Sequence, residues 1–252
     1  MLITFDVRGI RETQQELRGF SDRRLATTAA IALTRTAAEA RQGVQDQMRT
    51  IFDRPTPYAL GGIGSSRATP QLLEAEVFIK DQQSGDRGDR AAASFLAPQI
   101  RGGARKVKGF EKLLQSRGLM PPGWKAITGA GAKLDSYGNL DRGQLTQILQ
   151  QLRIASRGKA LGAGAKGIAA QRKAGGRFFA VLPGRKGARP GIYQREFGGR
   201  GITPVLVFVP AAVYSPQFDF AGIASRIAQQ RIGPNLRRAI DESAARLAAR
   251  GR

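Results

Sequence analysis

Hydrophobic positions along the chain change their period several times, and each change marks an element. Between Leu25 and Ile51, apolar or small residues recur at Leu25, Ala29, Leu33, Ala37, Ala40, Val44, Met48 and Ile51. That spacing, close to 3.5 residues, predicts a long helix begun at a Ser21 cap. At 1.5 Å per residue, a helix of roughly thirty residues is a rod of about 45 Å. Ala26, Ala29, Ala30, Ala32, Ala37, Ala38 and Ala40 keep it thin, so a neighbour can approach its backbone closely, whether inside one core or between subunits. Pro55 and Pro57 end it. LLEAEVFIK, residues 72–80, then alternates, with Leu73, Ala75, Val77 and Ile79 on one face, and predicts a hairpin with Tyr58 to Ile63.

The most strand-prone run is Val205 to Val209, five consecutive apolar residues that predict a strand buried on both faces. Ile192 to Glu196 forms a partner across the glycine turn Gly198, Gly199, Gly201, and Phe178 to Leu182 lies beside that partner across PGRKGARPG. Pro210 and Pro216 punctuate the exit. A helix from Phe220 to Ile232 follows, Gly233 and Pro234 break it, and Leu236 to Ala249 forms another.

Between these landmarks the signals are shorter. Leu2, Ile3, Phe5 and Val7 suggest a strand, and Ile10 to Phe20 a polar helix. Gln82 to Arg90 is a polar loop whose Arg-Gly-Asp tripeptide is read as chance rather than as an adhesion signal. Ala91 to Leu96 makes a turn or two of helix, and Val107 to Leu114 carries an apolar stripe. Pro121 to Leu134 holds too many breakers for regular structure, with Trp124 as its anchor. Tyr137, Gly138 and Asn139 make a turn. Asp141 with Gln144 is a variant capping box for a helix with Leu145, Ile148, Leu149 and Leu152 on one face. The fold class expected is α+β: an antiparallel sheet packed against a long N-terminal helix, with C-terminal helices and long basic loops. No linker stands out, so residues 1–252 are read as one body, with 81–135 as a basic insertion-like segment.

Charge changes this picture. The chain carries 41 Lys and Arg against 19 Asp and Glu, a net of +22. Residues 1–80 hold eleven basic and nine acidic side chains, whereas 81–252 hold thirty and ten, so the excess belongs to the second part. Between Asp141 and Glu196 there is no acid, and Arg142 to Arg195 contributes twelve bases and ten glycines. Within it, 153–176 reads as a flexible Gly/Lys/Arg-rich arm that a partner subunit or a polyanion would order. Arg157, Lys159, Lys166, Arg172, Lys173, Arg177, Arg185, Lys186 and Arg189 are spaced by glycines, which suits phosphates along a backbone, or an acidic protein, better than base edges. A plain solvated surface is the competing reading.

Chemistry is scarce. With no Cys and no His, a disulfide framework, a thiolate metal site and the commonest general base are excluded. No catalytic, cofactor-binding or metal-binding residue is nominated, and the expectation is a protein that is not an enzyme. Gly162, Gly164 and Gly167 match GxGxxG in letters only, lacking the preceding strand and the later acid. Glu74 and Glu76, on one strand face, are the one carboxylate pair whose geometry would suit a metal nuclease, and the plainer reading is a solvated side. The N-terminus lacks a signal-peptide layout, and the longest apolar run, Val205 to Val213, is broken by Pro210 and too short to span a bilayer.

The order of parts has a likeness. GIRETQQEL, the alanine-rich ATTAAIALTRTAAEAR, and later PGIYQR, VLVFVP and a helix-Pro-helix tail resemble the tail-completion, or minor tail protein Z, family of tailed bacteriophages. The resemblance covers nearly the whole chain and rests on order and pattern, not on a catalytic signature. It implies a virion structural protein of the neck or upper tail, made in the host cytoplasm and assembled as a homo-oligomeric ring of six or twelve copies around the DNA channel. Such a protein is needed for tail completion or head-tail joining, and its partners are neighbouring neck, portal or tail proteins and the double-stranded DNA backbone, with no membrane. The middle segment departs from shorter family members. The alternatives are a non-sequence-specific nucleic-acid-binding protein and, behind it, a metal-dependent nuclease.

Overall fold

The computed structural model describes residues 2–6, 22–81, 91–152, 177–184, 188–196 and 201–250. The class is α+β, with a long N-terminal helix, antiparallel sheets and a long C-terminal helix. Contacts divide the chain into two compact units, one formed by Met1–Gly102 with Ser215–Arg252, the other by Gly103–Tyr214. No linker announces the division because two adjacent glycines, Gly102 at φ 74° and Gly103 at φ 97°, take the first crossing in conformations that side chains disfavour.

The outer unit is built on α1 (Asp22–Ile51) and its partner helix from Phe220 to Arg250. Leu33, Ala37, Ala40, Val44 and Met48 are fully buried, the stripe expected from the spacing. They pack with Phe218, Phe220, Ile223 and Ala224, and with Ala75, Val77 and Ile79 of β3 (Glu74–Ile79). β3 is the centre of a three-stranded antiparallel sheet between β1 (Leu2–Asp6) and β2 (Ile63–Ser65). Its apolar face is the one the alternation predicts. The expected strand from Tyr58 is in part a helix, α2 (Pro57–Gly61). Pro57 suits a first helical turn, and Thr56 Oγ1 accepts from Ala59 N at 3.1 Å, which closes that turn before the chain extends. α3 (Ala92–Arg101) completes the first stretch of this unit.

The expected break at Gly233 and Pro234 does not occur, for Phe220–Arg250 is one helix with Pro234 inside it. A proline removes one backbone donor and crowds the preceding turn. Here ties to α1 hold the helix on either side of it. Arg231 Nε lies 3.6 Å from Glu39, Asn235 Nδ2 donates to Thr36 Oγ1 at 3.2 Å and to Glu39 Oε2 at 3.3 Å, and Arg35 Nη2 donates to Glu242 at 2.7 Å.

The nested unit opens on β4 (Gly103–Ala104), then α4 (Gly109–Ser116), β5 (Lys125–Thr128) and α5 (Arg142–Gln151). It closes with β6 (Phe178–Val181), β7 (Gly191–Arg195), β8 (Ile202–Val209) and β9 (Val213–Tyr214), after which the long C-terminal helix is α6. β5-β8-β7-β6 form an antiparallel sheet, and β4 pairs with β9. The hairpins around β7 match the sequence reading. β5 corrects it, because Lys125–Thr128, flanked by the breakers, is long enough to pair as an edge strand with Leu206–Val209. Gln144 also departs from its expected part. Asp141 Oδ1 accepts from Gln144 N at 2.8 Å, but the Gln144 amide, instead of reaching back to the cap, joins Lys133 N at 2.7 Å and Gly131 O at 2.9 Å.

β8 is the sheet's spine. A register shift after Ile192 sets Ile192 opposite Leu206 and Tyr193 opposite Pro204, leaving Val205 unpaired. Val205 and Leu206 are therefore both buried, and Pro204, which has no N–H, stands where no ladder bond is required. Val207 and Val209 are only half-buried, so the second face of this strand is less covered than five apolar residues in a row suggest.

Candidate nucleic-acid interface

The nested unit, residues 103–214, holds twenty of the basic and four of the acidic side chains, a net of +16 out of +22. The outer unit holds twenty-one and fifteen, a net of +6. The four acids of the nested unit are engaged within it. Glu111 is paired with Arg105, and Asp141 caps α5. Asp135 Oδ1 accepts from Tyr137 N at 2.8 Å and Asn139 N at 2.9 Å, and Glu196 accepts from Thr203 Oγ1 at 2.7 Å. Lys106, Lys108, Lys112, Lys133, Arg142, Arg177 and Arg189 are exposed.

Glu111 shows how the unit is braced. Its side chain is fully buried, yet its carboxylate accepts from Arg105 Nη1 at 2.9 Å, Arg105 Nη2 at 2.5 Å, Lys108 N at 2.6 Å and Ala126 N at 2.8 Å. Burial pushes this carboxyl up, but the Arg105 guanidinium and the two backbone donors outweigh it and hold its pKa below the ordinary value. Arg105 in turn is raised by its hydrogen bond to Glu111. The pair fastens the start of α4 to β5, whose Ala126 carbonyl also accepts from Arg105 at 2.9 Å.

Of the nine candidate bases, Arg157, Lys159, Lys166, Arg172, Lys173, Arg185 and Lys186 lie outside the described residues. So do the glycines of the GxGxxG match. Arg177 and Arg189 are brought onto one hairpin, Arg177 just before β6 and Arg189 just before β7. Phe178 and Ile192 of that hairpin face the core with Leu114 of α4 and Ile148 of α5. Phe179 and Tyr193, directly opposed in the ladder, take the other face and stack at 6.0 Å between centroids, with 27° between planes. Arg195 follows on that face. Its guanidinium carbon lies 4.7 Å from the Phe179 ring centre, while that of Arg177 lies 5.7 Å from Phe178. Arg195 N donates to Arg177 O at 2.8 Å, and Tyr193 Oη donates to Arg189 O at 2.9 Å, which ties the basic positions to the strands.

A guanidinium lying on a ring gains cation-π attraction and is held in one plane, the form suited to forked phosphate contacts. The sequence reading missed Phe179, Tyr193 and Arg195 as parts of this arrangement. The signal was their parity: Phe179 on one strand and Tyr193 and Arg195 on the next share a face once the strands pair.

Glu74 and Glu76 lie on β3 as expected, Glu74 exposed and Glu76 half-buried, away from the apolar face. Among the described residues no group of three or more His, Cys, Asp or Glu side chains could hold a metal ion, and no helix is long and apolar enough to cross a membrane. No family model, curated protein or solved structure matches the chain.

Proposed function

We propose that this chain is a virion structural protein of a tailed bacteriophage, placed at the neck or upper tail and needed for tail completion or head-tail joining. The observation that carries the reading is the segregation of charge, with +16 on the nested unit and +6 on the outer one. A ring of copies that each present such a unit would line a DNA channel with bases, or seat them on an acidic neighbour, without reading sequence. The likeness to the minor tail protein Z family supplies the place in the particle. In this reading the protein does no chemistry of its own. Particles assembled without the chain should show filled heads and separate tails in negative stain. Normally joined, infectious particles would overturn the proposal.

The basic hairpin also favours a second reading, a free protein that binds nucleic acid without sequence preference. Here the isolated protein should bind duplex DNA with an affinity that falls steeply with salt, by a log-log slope of about −0.9 per phosphate neutralised. Binding that does not change with salt would exclude it.

A further inference from the structure

Within the nested unit β5 is an edge strand, the outermost of β5-β8-β7-β6. Gly129 N donates to Val205 O at 2.9 Å, which sets the alternation: residues 125 and 127 turn their backbone groups to β8, and Trp124, Ala126 and Thr128 turn theirs outward. A neighbouring strand would meet such a row with donors and acceptors in turn. No described strand lies there, but three side chains meet the row in the same alternation. Gln115 Nε2 donates to Trp124 O at 3.1 Å, Glu111 Oε1 accepts from Ala126 N at 2.8 Å, and Arg105 Nη2 donates to Ala126 O at 2.9 Å. Glu111 and Gln115 stand one turn apart on α4, so one helix face supplies two of the three, and the pair with Glu111 holds Arg105 on the third. Ala126 is 7% exposed beneath them. The row stops at Thr128, which is exposed and whose N–H and C=O have no partner among the described residues. At the opposite edge β6 begins in a similar way, with Gln151 Oε1 accepting from Phe178 N at 3.0 Å.

A bare strand edge is a template on which another chain can pair. A buried ion pair, for its part, adds little stability over apolar side chains of the same volume, so stability alone does not account for a charged pair at this position. We propose that Gln115, Glu111 and Arg105 together act as a counterfeit strand, which bars the edge of β5 to strand addition by a second copy of this chain or by an extended segment of another protein. The device limits how this unit meets a partner: through the side chains on its surface, and not by lengthening the sheet past β5. It stands whether or not the chain belongs to a virion or meets DNA.

Arg105→Met combined with Glu111→Leu roughly keeps the volume of the pair and takes both polar partners from Ala126. The full-length double variant should keep the near-ultraviolet circular dichroism of the parent, yet in sedimentation velocity it should self-associate at a concentration at least about tenfold below any association of the parent. Adding Ala126→Pro, which removes the outward donor from the edge, should return it to the parent's behaviour. In the parent itself, hydrogen exchange followed by NMR should find the Ala126 amide at least about a hundredfold slower than that of Thr128, a comparison that needs no variant to fold. A folded double variant that sediments as the parent does, association that survives Ala126→Pro, or a Thr128 amide as protected as that of Ala126 would each overturn the proposal.

Discussion

A carboxylate with no exposure and four donors, as Glu111 has, is stable only while every donor remains. Replacing Arg105 with Ala strands a buried charge, and the expected loss is about 3 to 5 kcal/mol, read from chemical denaturation. The pH dependence has a definite sign. Because the folded pKa of Glu111 is depressed, its contribution is complete above the ordinary glutamate value of 4.5 and is lost as pH falls through the folded value. Melting temperature should therefore drop on acidification below about pH 4.5, and less steeply in Glu111→Gln. Gly191 presents a different constraint. A Cβ there would sit 2.2 Å from Leu206 O, a backbone atom of the neighbouring strand that cannot swing aside. Gly191→Ala should cost about 1 to 3 kcal/mol, while Gly184→Ala, whose added carbon meets nothing within 4 Å, isolates the cost of a positive φ, here 85°.

At the scale of elements, what was legible was whatever period and composition determine together. The stripe of α1, the alternation of β3 and the paired strands around PGIYQR needed only local sequence, since each buries its own repeating face. The misread elements depend on partners distant in sequence. Lys125–Thr128 is a strand because β8 offers it an edge, and Pro234 stays inside α6 because α1 holds both sides of it. The candidate site divides in the same way. Its basic excess could be counted along the chain, but the cluster of Phe179, Tyr193 and Arg195 exists only in the paired register. Pro234→Ala tests the helix argument. By restoring a donor it should raise the melting temperature, and Asn235→Ala should lower stability by about 1 to 2 kcal/mol through its bonds to Thr36 and Glu39.

For the whole molecule, the division of charge makes the two units separable in experiment. Gly103 and Tyr214 are paired across β4 and β9, so the chain leaves the outer unit and returns at neighbouring points. Replacing 103–214 with a short glycine linker should give a chain of net +6 that still unfolds cooperatively by circular dichroism and no longer binds DNA. In the full-length protein, Arg177→Gln with Arg189→Gln should reduce the salt slope of DNA binding by up to about two.

The same nesting orders events in time. α1 ends at Ile51 and the helix that covers it begins at Phe220, so about 170 residues must be made before the two can meet. At roughly 5 to 20 residues per second, the buried stripe of α1 waits on the order of ten to thirty seconds on the ribosome without α6. The nested unit is complete only at Tyr214, a few residues before α6 begins, so it too stays unfinished through nearly all of that wait. The outer unit must finish last, and its greasy first helix needs shelter from other nascent chains until it does.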